Sequence, residues 1–228
     1  MRRKIREKCL DLCFQRCAPF FPPIVINFTK NNRMKGFFDH VWSVCPYSDE
    51  LTDRLTEYIT LHEYPRKSHV LTEGKVCKRL YIVEDGVFRK YHIKRGKEVS
   101  SAFMLPGDLC IDPESFLTQQ PSHENIETQE GGRLHSITYD HLQEICADFP
   151  EVALAVRKQL EGCISWHQHR YREMWMQRSG DKYDWYLKQP PLLQQSVPAR
   201  HAASYLGLTE VTLSVLKHGR ENWKGRID

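Results

Sequence analysis

The sequence predicts an α+β protein in which a β-rich middle lies between helical segments. Three observations predict it. The hydrophobic period is helical up to Ile59, two-residue from Leu80 to Ile137, and helical again after Tyr139. Turn signals at Asp85-Gly86, Arg95-Gly96, Pro106-Gly107 and Gly131-Gly132 cut the middle into short pieces. The chain has 228 residues, 40% hydrophobic and 27% charged, with only 12 Gly and 12 Pro. That suits one large or two small domains and excludes collagen-like, low-complexity and wholly disordered chains.

Residues 1–36 differ from the rest and read as an N-terminal extension with little packed structure. They combine a basic start, Cys9, Cys13 and Cys17, and the Pro-rich piece Ala18 to Pro23. Met34 follows just before clear periodicity begins, so one reading takes it as the natural start. Glu7, Asp11 and Arg16 interrupt the stretch that a signal peptide would need to be apolar.

Residues 37–145 read as a β-roll with flanking helices. Phe38, Val41, Leu51, Leu55, Tyr58 and Ile59 fall at helical spacings, and Ser48 with Asp49 and Glu50 marks a helix start. Leu80 to Val83 reads as a strand, Asp85-Gly86 as a hairpin turn, and Val87 to Ile93 as the returning strand. Arg95-Gly96 turns the chain again into a strand from Val99 to Leu105. Ile126 to Thr128 and Leu134 to Ile137 add short strands separated by Gly131-Gly132. Short strands broken by turns suggest a barrel or jelly roll.

Residues 146–179 read as one long helix. Val152, Val156, Leu160 and Ile164 step by four, and the stripe extends through Tyr171, Met174 and Trp175 to the break at Gly180. Such a stripe needs a cover, and a partner helix in a homodimer is the natural one. Residues 180–228 hold Ala202, Ala203, Leu206, Leu208, Leu213 and Leu216 as apolar positions. Gly207 separates two helical patterns and Thr209 stands ready to cap the second, which describes a helix-turn-helix.

The formal net charge is +4, but it is unevenly spread: +7 over residues 1–36, +1 over 37–107, −9 over 108–151 and +5 over 152–228. The eight cysteines form no dense framework, so reduced thiols in a cytoplasmic protein are expected. No apolar run approaches a membrane span. Cys9, Cys13 and Cys17 share a helical face, and Cys163, His167 and His169 are closely spaced. Either group could ligate a metal. The favoured readings are an untidy extension and a solvated helix face, so no metal or cofactor is assigned. No nucleotide-binding Gly-rich loop or nucleophile elbow suggests an enzyme.

In this order the parts resemble bacterial regulators of the CRP/FNR type. The matching residues are Gly86, Pro106-Gly107-Asp108-Leu109, Glu114-Ser115-Phe116-Leu117, Lys188-Gln189-Pro190, His201 to Thr209, and Thr212-Leu213-Ser214. The resemblance implies a cyclic-nucleotide-binding-like roll (double-stranded β-helix, jelly-roll type), dimerisation along the long helix through Val152, Val156, Leu160 and Ile164, and a winged helix-turn-helix.

It also implies where an effector would sit: Gly107, Asp108, Leu109, Cys110, Ser122 and His123. The family's phosphate-binding arginine should fall near Ser122, yet no Lys or Arg occurs from Asp108 to Gly132. One like-charge pair at close range costs roughly 4 kcal/mol, so neither cyclic AMP nor cyclic GMP is expected to bind. For DNA the resemblance points to Arg200, Thr209, Glu210, Thr212, Ser214, Lys217 and Arg220. The family's base-reading Arg, Glu and Arg are replaced by Glu210, Val211 and Val215. The expected function is a dimeric regulator of transcription on double-stranded DNA, with the small-molecule effector left open. The competing expectation is a degenerate scaffold used for ligand binding or protein interaction.

Overall fold

The computed structural model describes residues 48–224. Cys9, Cys13, Cys17, Phe38, Val41 and Arg226 lie outside the described residues. Helix α1 (Asp49–Tyr58) opens at Ser48, whose hydroxyl accepts the Leu51 N–H. Asp49 and Glu50 occupy its first turn, where the helix dipole favours acids, and Leu51 and Leu55 are buried.

Five antiparallel strands follow: β1 (Thr60–Tyr64), β2 (His69–Leu71), β3 (Arg79–Lys94), β4 (Lys97–Met104) and β5 (Asn125–Thr138). Their order is β1-β5-β3-β4, with β2 also paired to β5. Strands β1 and β2 are additions to the expected set. Both are short and only partly buried, so neither carries a strong apolar alternation.

The expected hairpin at Asp85-Gly86 is corrected. Strand β3 runs straight through it for 16 residues and pairs with β5 on both sides. Likewise Gly131-Gly132 does not divide β5, which is continuous over 14 residues. The reason is a crossing of two backbones. Gly86, at φ +94°, faces Gly132 across the ladder, and a Cβ on Gly132 would sit 2.5 Å from the Asp85 carbonyl oxygen. The glycines therefore permit a close approach with register shifts on either side, instead of a chain reversal. Arg95-Gly96 is the true hairpin turn, with φ of 52° and 73°, the two positive values of a two-residue type I′ loop.

Helix α2 (Pro113–Thr118) follows Asp112, and α3 (Tyr139–Asp148) is capped by the Thr138 hydroxyl. The chain breaks at Phe149 before α4 (Pro150–Met176), so residues 146–148 close α3 instead of opening the long helix. Then come α5 (Ser179–Leu187), α6 (Pro191–Ser196), α7 (Ala199–Leu206) and α8 (Glu210–Lys224). Gly207, at φ +63°, turns the chain between α7 and α8, and the Thr209 hydroxyl accepts the Thr212 N–H to cap α8. No strand follows Thr138 among the described residues, so the wing implied by the resemblance is not among them.

The β3–β4 hairpin is buried on both faces. Phe88, Ala102 and Met104 enter the roll core beside Cys110, Phe116 and Ile126. Val87, Phe103 and Leu105 enter a second core with Met174, Tyr183, Leu193, Ala203, Leu206 and Leu213. The helix-turn-helix thus packs directly on the outer face of the roll. Phe103 meets the Tyr205 ring edge-on at 5.0 Å, and the Ser100 N–H donates to Ser204 Oγ at 2.7 Å.

Candidate functional site

The segment after β4 is used first as a brace. Gly107, at φ +92°, donates its N–H to the Val83 carbonyl at 2.8 Å, and the Cys110 N–H donates to the Tyr81 carbonyl at 2.9 Å. Asp108 Oδ2 accepts the Leu105 N–H at 2.8 Å, and Leu109 bridges to Ile82. Four of the expected effector residues, Gly107, Asp108, Leu109 and Cys110, therefore stitch this turn onto β3. Cys110 is fully buried, and burial pushes its thiol well above the usual range.

The remaining expected pair separates. His123 is exposed, whereas Ser122 is buried and donates its hydroxyl to Asp112 Oδ2 at 2.7 Å. The Glu124 N–H donates back to Ser122 Oγ at 3.0 Å. This turn aims two carboxylates at a cation that arrives from β3. Lys90 Nζ lies 2.8 Å from Glu124 Oε2 and 3.8 Å from Asp112 Oδ1, and its side chain is only 8% exposed. His92 Nδ1 stands 3.7 Å from Glu124 Oε1. Burial pushes the Glu124 carboxyl up, but the Lys90 ammonium more than cancels this, so the group titrates below its usual range.

Lys90, Asp112 and Glu124 were not among the expected site residues. The signal for Lys90 was strand parity: Phe88, Lys90 and His92 lie on one face of β3, and Phe88 is core. The −9 charge of residues 108–151 is thus partly answered from outside that block, by Lys90 here and by Arg89 and Arg54 at Glu127 and Asp148.

On the opposite face of β3 lies Arg89, fully buried. Its Nε donates to Ser100 Oγ at 2.9 Å, and Nη1 donates to Glu98 at 2.7 Å and Glu127 at 3.0 Å. Its guanidinium also lies over the Tyr91 ring at 4.3 Å. A cleft of about 250 Å³ opens nearby between the roll and the helical end, lined by Arg66, Glu98, Glu127, Pro198, Arg200 and His201. Burial, with the Arg89 and Arg200 guanidiniums, pushes the His201 imidazole down to about 4.

In the helix-turn-helix, His201, Ala202, Ala203, Tyr205 and Leu206 bury α7, while α8 turns an open face outward. Glu210, Ser214 and Lys217 are exposed on that face, as are Val211 at 73% and Val215 at 65%. Thr209 and Thr212 share a hydroxyl contact of 2.8 Å inside the cap. Arg200 stands on α7 beside the cleft, with Nε 3.2 Å from His201 Nε2. The Arg220 side chain lies outside the described residues.

Along α4, Val152 is buried in the roll core, Val156 and Leu160 are half-buried, and Ile164 is 64% exposed. Trp175, further along, is 76% exposed. Cys163, also on α4, is half-buried, and burial raises its thiol. Among the described residues no three metal-ligating side chains come together.

The chain thus runs from a β-roll braced by a Gly-Asp turn through a long helix to a helix-turn-helix. Residues 61–149 match the cyclic nucleotide-binding domain family. No curated protein matches the sequence. Among solved structures, the chain is similar to FixK2 from Bradyrhizobium japonicum, with a TM-score of 0.64, 16% identity, and 73% of this chain and 86% of that one covered. It is similar to a CooA mutant from Carboxydothermus hydrogenoformans at 0.60, with 18% identity and coverages of 86% and 87%. A transcriptional regulator of the crp/fnr family from Eubacterium rectale gives 0.59, with 14% identity and coverages of 75% and 82%. Over most of its length the chain has the fold of these solved structures.

Proposed function

We propose that this chain is a DNA-binding transcription regulator that works as a homodimer in the cytoplasm, and that its roll takes no cyclic nucleotide. The observation that carries the DNA reading is the division of labour in the helix-turn-helix. Helix α7 is buried against the roll, and α8 is capped with its outer face open. Lys217 on α8 and Arg200 on α7 are both exposed, within a segment of net charge +5. A titration of random duplex DNA at increasing salt tests it. Each phosphate contact contributes a slope of about −0.9 in log K against log salt. A steep slope is expected, and no binding at low salt would overturn the reading.

The exposed Val211 and Val215 favour the second reading, a scaffold that binds proteins instead of DNA, and the same titration separates the two. The reading of the roll rests on Lys90, whose charge is already met by Glu124 and Asp112. A phosphate would have to displace those carboxylates or lie beside them. Calorimetric titration with cyclic AMP at neutral pH is expected to give no heat of binding, and micromolar affinity would refute this. The effector, where one exists, is then of another chemistry. The dimer reading rests on the uncovered Ile164 and Trp175 of α4, and sedimentation of Ile164→Glu, expected to be monomeric, checks it. The cytoplasmic reading is supported by the unpaired Cys77, Cys110, Cys146 and Cys163. Among the described residues no helix is long and apolar enough to cross a membrane.

A further inference from the structure

We infer that α8 reads the C5-methyl groups of thymines in the major groove, and not guanine edges. This deepens the DNA-binding reading above and rests on it.

Val211 and Val215 lie one helical turn apart on the outer face of α8 and are 73% and 65% exposed. Neither belongs to either core among the described residues, so core packing does not explain them. Their Cβ atoms are roughly 6 Å apart by helix geometry, close to two base steps of about 3.4 Å along a strand. The only apolar group that a base pair offers in the major groove is the thymine methyl. The common guanine contact is a bidentate one from Arg or Lys, and among the described side chains of α8 Lys217 alone is of those types. Lys217 sits near the edge of that face away from the valines, where a phosphate contact suits it better. Glu210, at the leading end, can only accept, and the donors that bases offer in the major groove are the amino groups of cytosine and adenine. The chemistry on this face therefore favours duplexes with two thymines about two steps apart, with a cytosine or adenine towards the Glu210 end. The occupant is DNA by charge: Lys217 is exposed on the same helix as the valines, and Arg200 is exposed on α7, within the +5 segment.

The test begins by selecting duplexes from a randomised pool with the full-length protein. The selected duplex is then remade with deoxyuridine for thymidine, which removes only the methyl groups. Affinity is expected to fall roughly fourfold for each methyl in contact, from the usual value of burying one such carbon. Replacing cytosine by 5-methylcytosine in a TC-exchanged duplex restores the methyl and is expected to recover part of that loss. The double variant Val211→Ala, Val215→Ala is expected to keep the melting temperature of the parent, because both side chains are exposed, and to bind the thymine and uracil duplexes equally. Tight binding that is indifferent to thymine or uracil, or a selected site without thymines, overturns this inference and leaves DNA binding standing. Failure to bind any duplex, even at low salt, overturns the DNA-binding reading itself and this inference with it.

Discussion

Removing the Glu124 charge is the sharpest test of the roll. In Glu124→Gln the amide keeps the shape of the side chain but leaves Lys90 facing only Asp112, at 3.8 Å. The lost partner stood at 2.8 Å, a gross attraction of about 6 kcal/mol at an effective dielectric of 20. Breaking a buried pair in this way costs about 3–5 kcal/mol net. Here Glu124 is 19% exposed and Asp112 remains, so the expected loss is nearer ~2–4 kcal/mol. In urea at pH 7 that moves the midpoint down by about 1–2 M for a typical m-value. The double replacement Lys90→Met, Glu124→Leu removes both charges and is expected to recover most of the loss. Inorganic phosphate, compared with chloride at equal ionic strength, is expected to protect Glu124→Gln but not the unaltered chain. A loss under about 0.5 kcal/mol, within the range of ordinary surface changes, would refute the reasoning. Lys90 would then not depend on Glu124, and the argument against a nucleotide phosphate would fall with it. Acid gives the matching sign. The Glu124 carboxyl is held below its usual range in the folded state, so the pair's contribution is complete above the ordinary carboxylate pKa of about 4.3. It is lost as pH falls through the lowered folded value.

Gly86→Ala is expected to destabilise the roll by about 3 kcal/mol or more, measured by thermal or urea unfolding, because the residue combines φ +94° with backbone contact to Gly131 and Gly132. Phe103→Ala opens a cavity in the seam; about 3–5 kcal/mol is expected, with faster amide exchange in α7. His201 is pushed down to about 4 when folded, against about 6.5 unfolded, so its neutral form stabilises the seam fully above pH 6.5. That contribution declines as pH falls from 6.5 through about 4, and the protection of amides across 97–104, taken relative to their intrinsic exchange at each pH, is expected to fall in that window.

The layout of the chain was legible because it is written in period and punctuation. The Ser48 and Thr209 caps, the Arg95-Gly96 turn and the apolar set of α7 and α8 all follow from local chemistry. The Asp85-Gly86 reading failed because the same residues serve two geometries. A positive φ suits a hairpin, but it also suits a strand crossing another glycine, and only the partner Gly132, 46 positions on, decides between them. The acidic run 108–132 was legible as a charge deficit, but its counter-ion was not. Lys90 lies on another strand, and in a hairpin buried on both faces alternation no longer separates inside from outside. Lys90 and Arg89 are neighbours, and both are buried.

That double burial joins the two halves of the molecule. Even-numbered side chains of β3, Phe88 and Lys90, belong to the roll interior, where Glu124 and Asp112 hold the lysine. Odd-numbered ones, Val87 and Arg89, belong to the seam, where Ser100, Glu98 and Glu127 hold the guanidinium. Strand β4 repeats the pattern, with Ala102 and Met104 turned inward and Phe103 and Leu105 turned to the helices. Because side chains alternate from Val87 to Lys90 and from Ala102 to Met104, a slip of one residue there would exchange the two sets and bury each charge against the wrong partners. The register is therefore held from both sides at once, by ion pairs on each face and by the paired glycines at the crossing. Any change that moves Lys90 along the strand must also move Arg89, and with it the surface on which α7 sits and from which α8 is presented. The sheet between the roll interior and the helix-turn-helix is a shared wall, and the charges on its two faces cannot be rearranged independently.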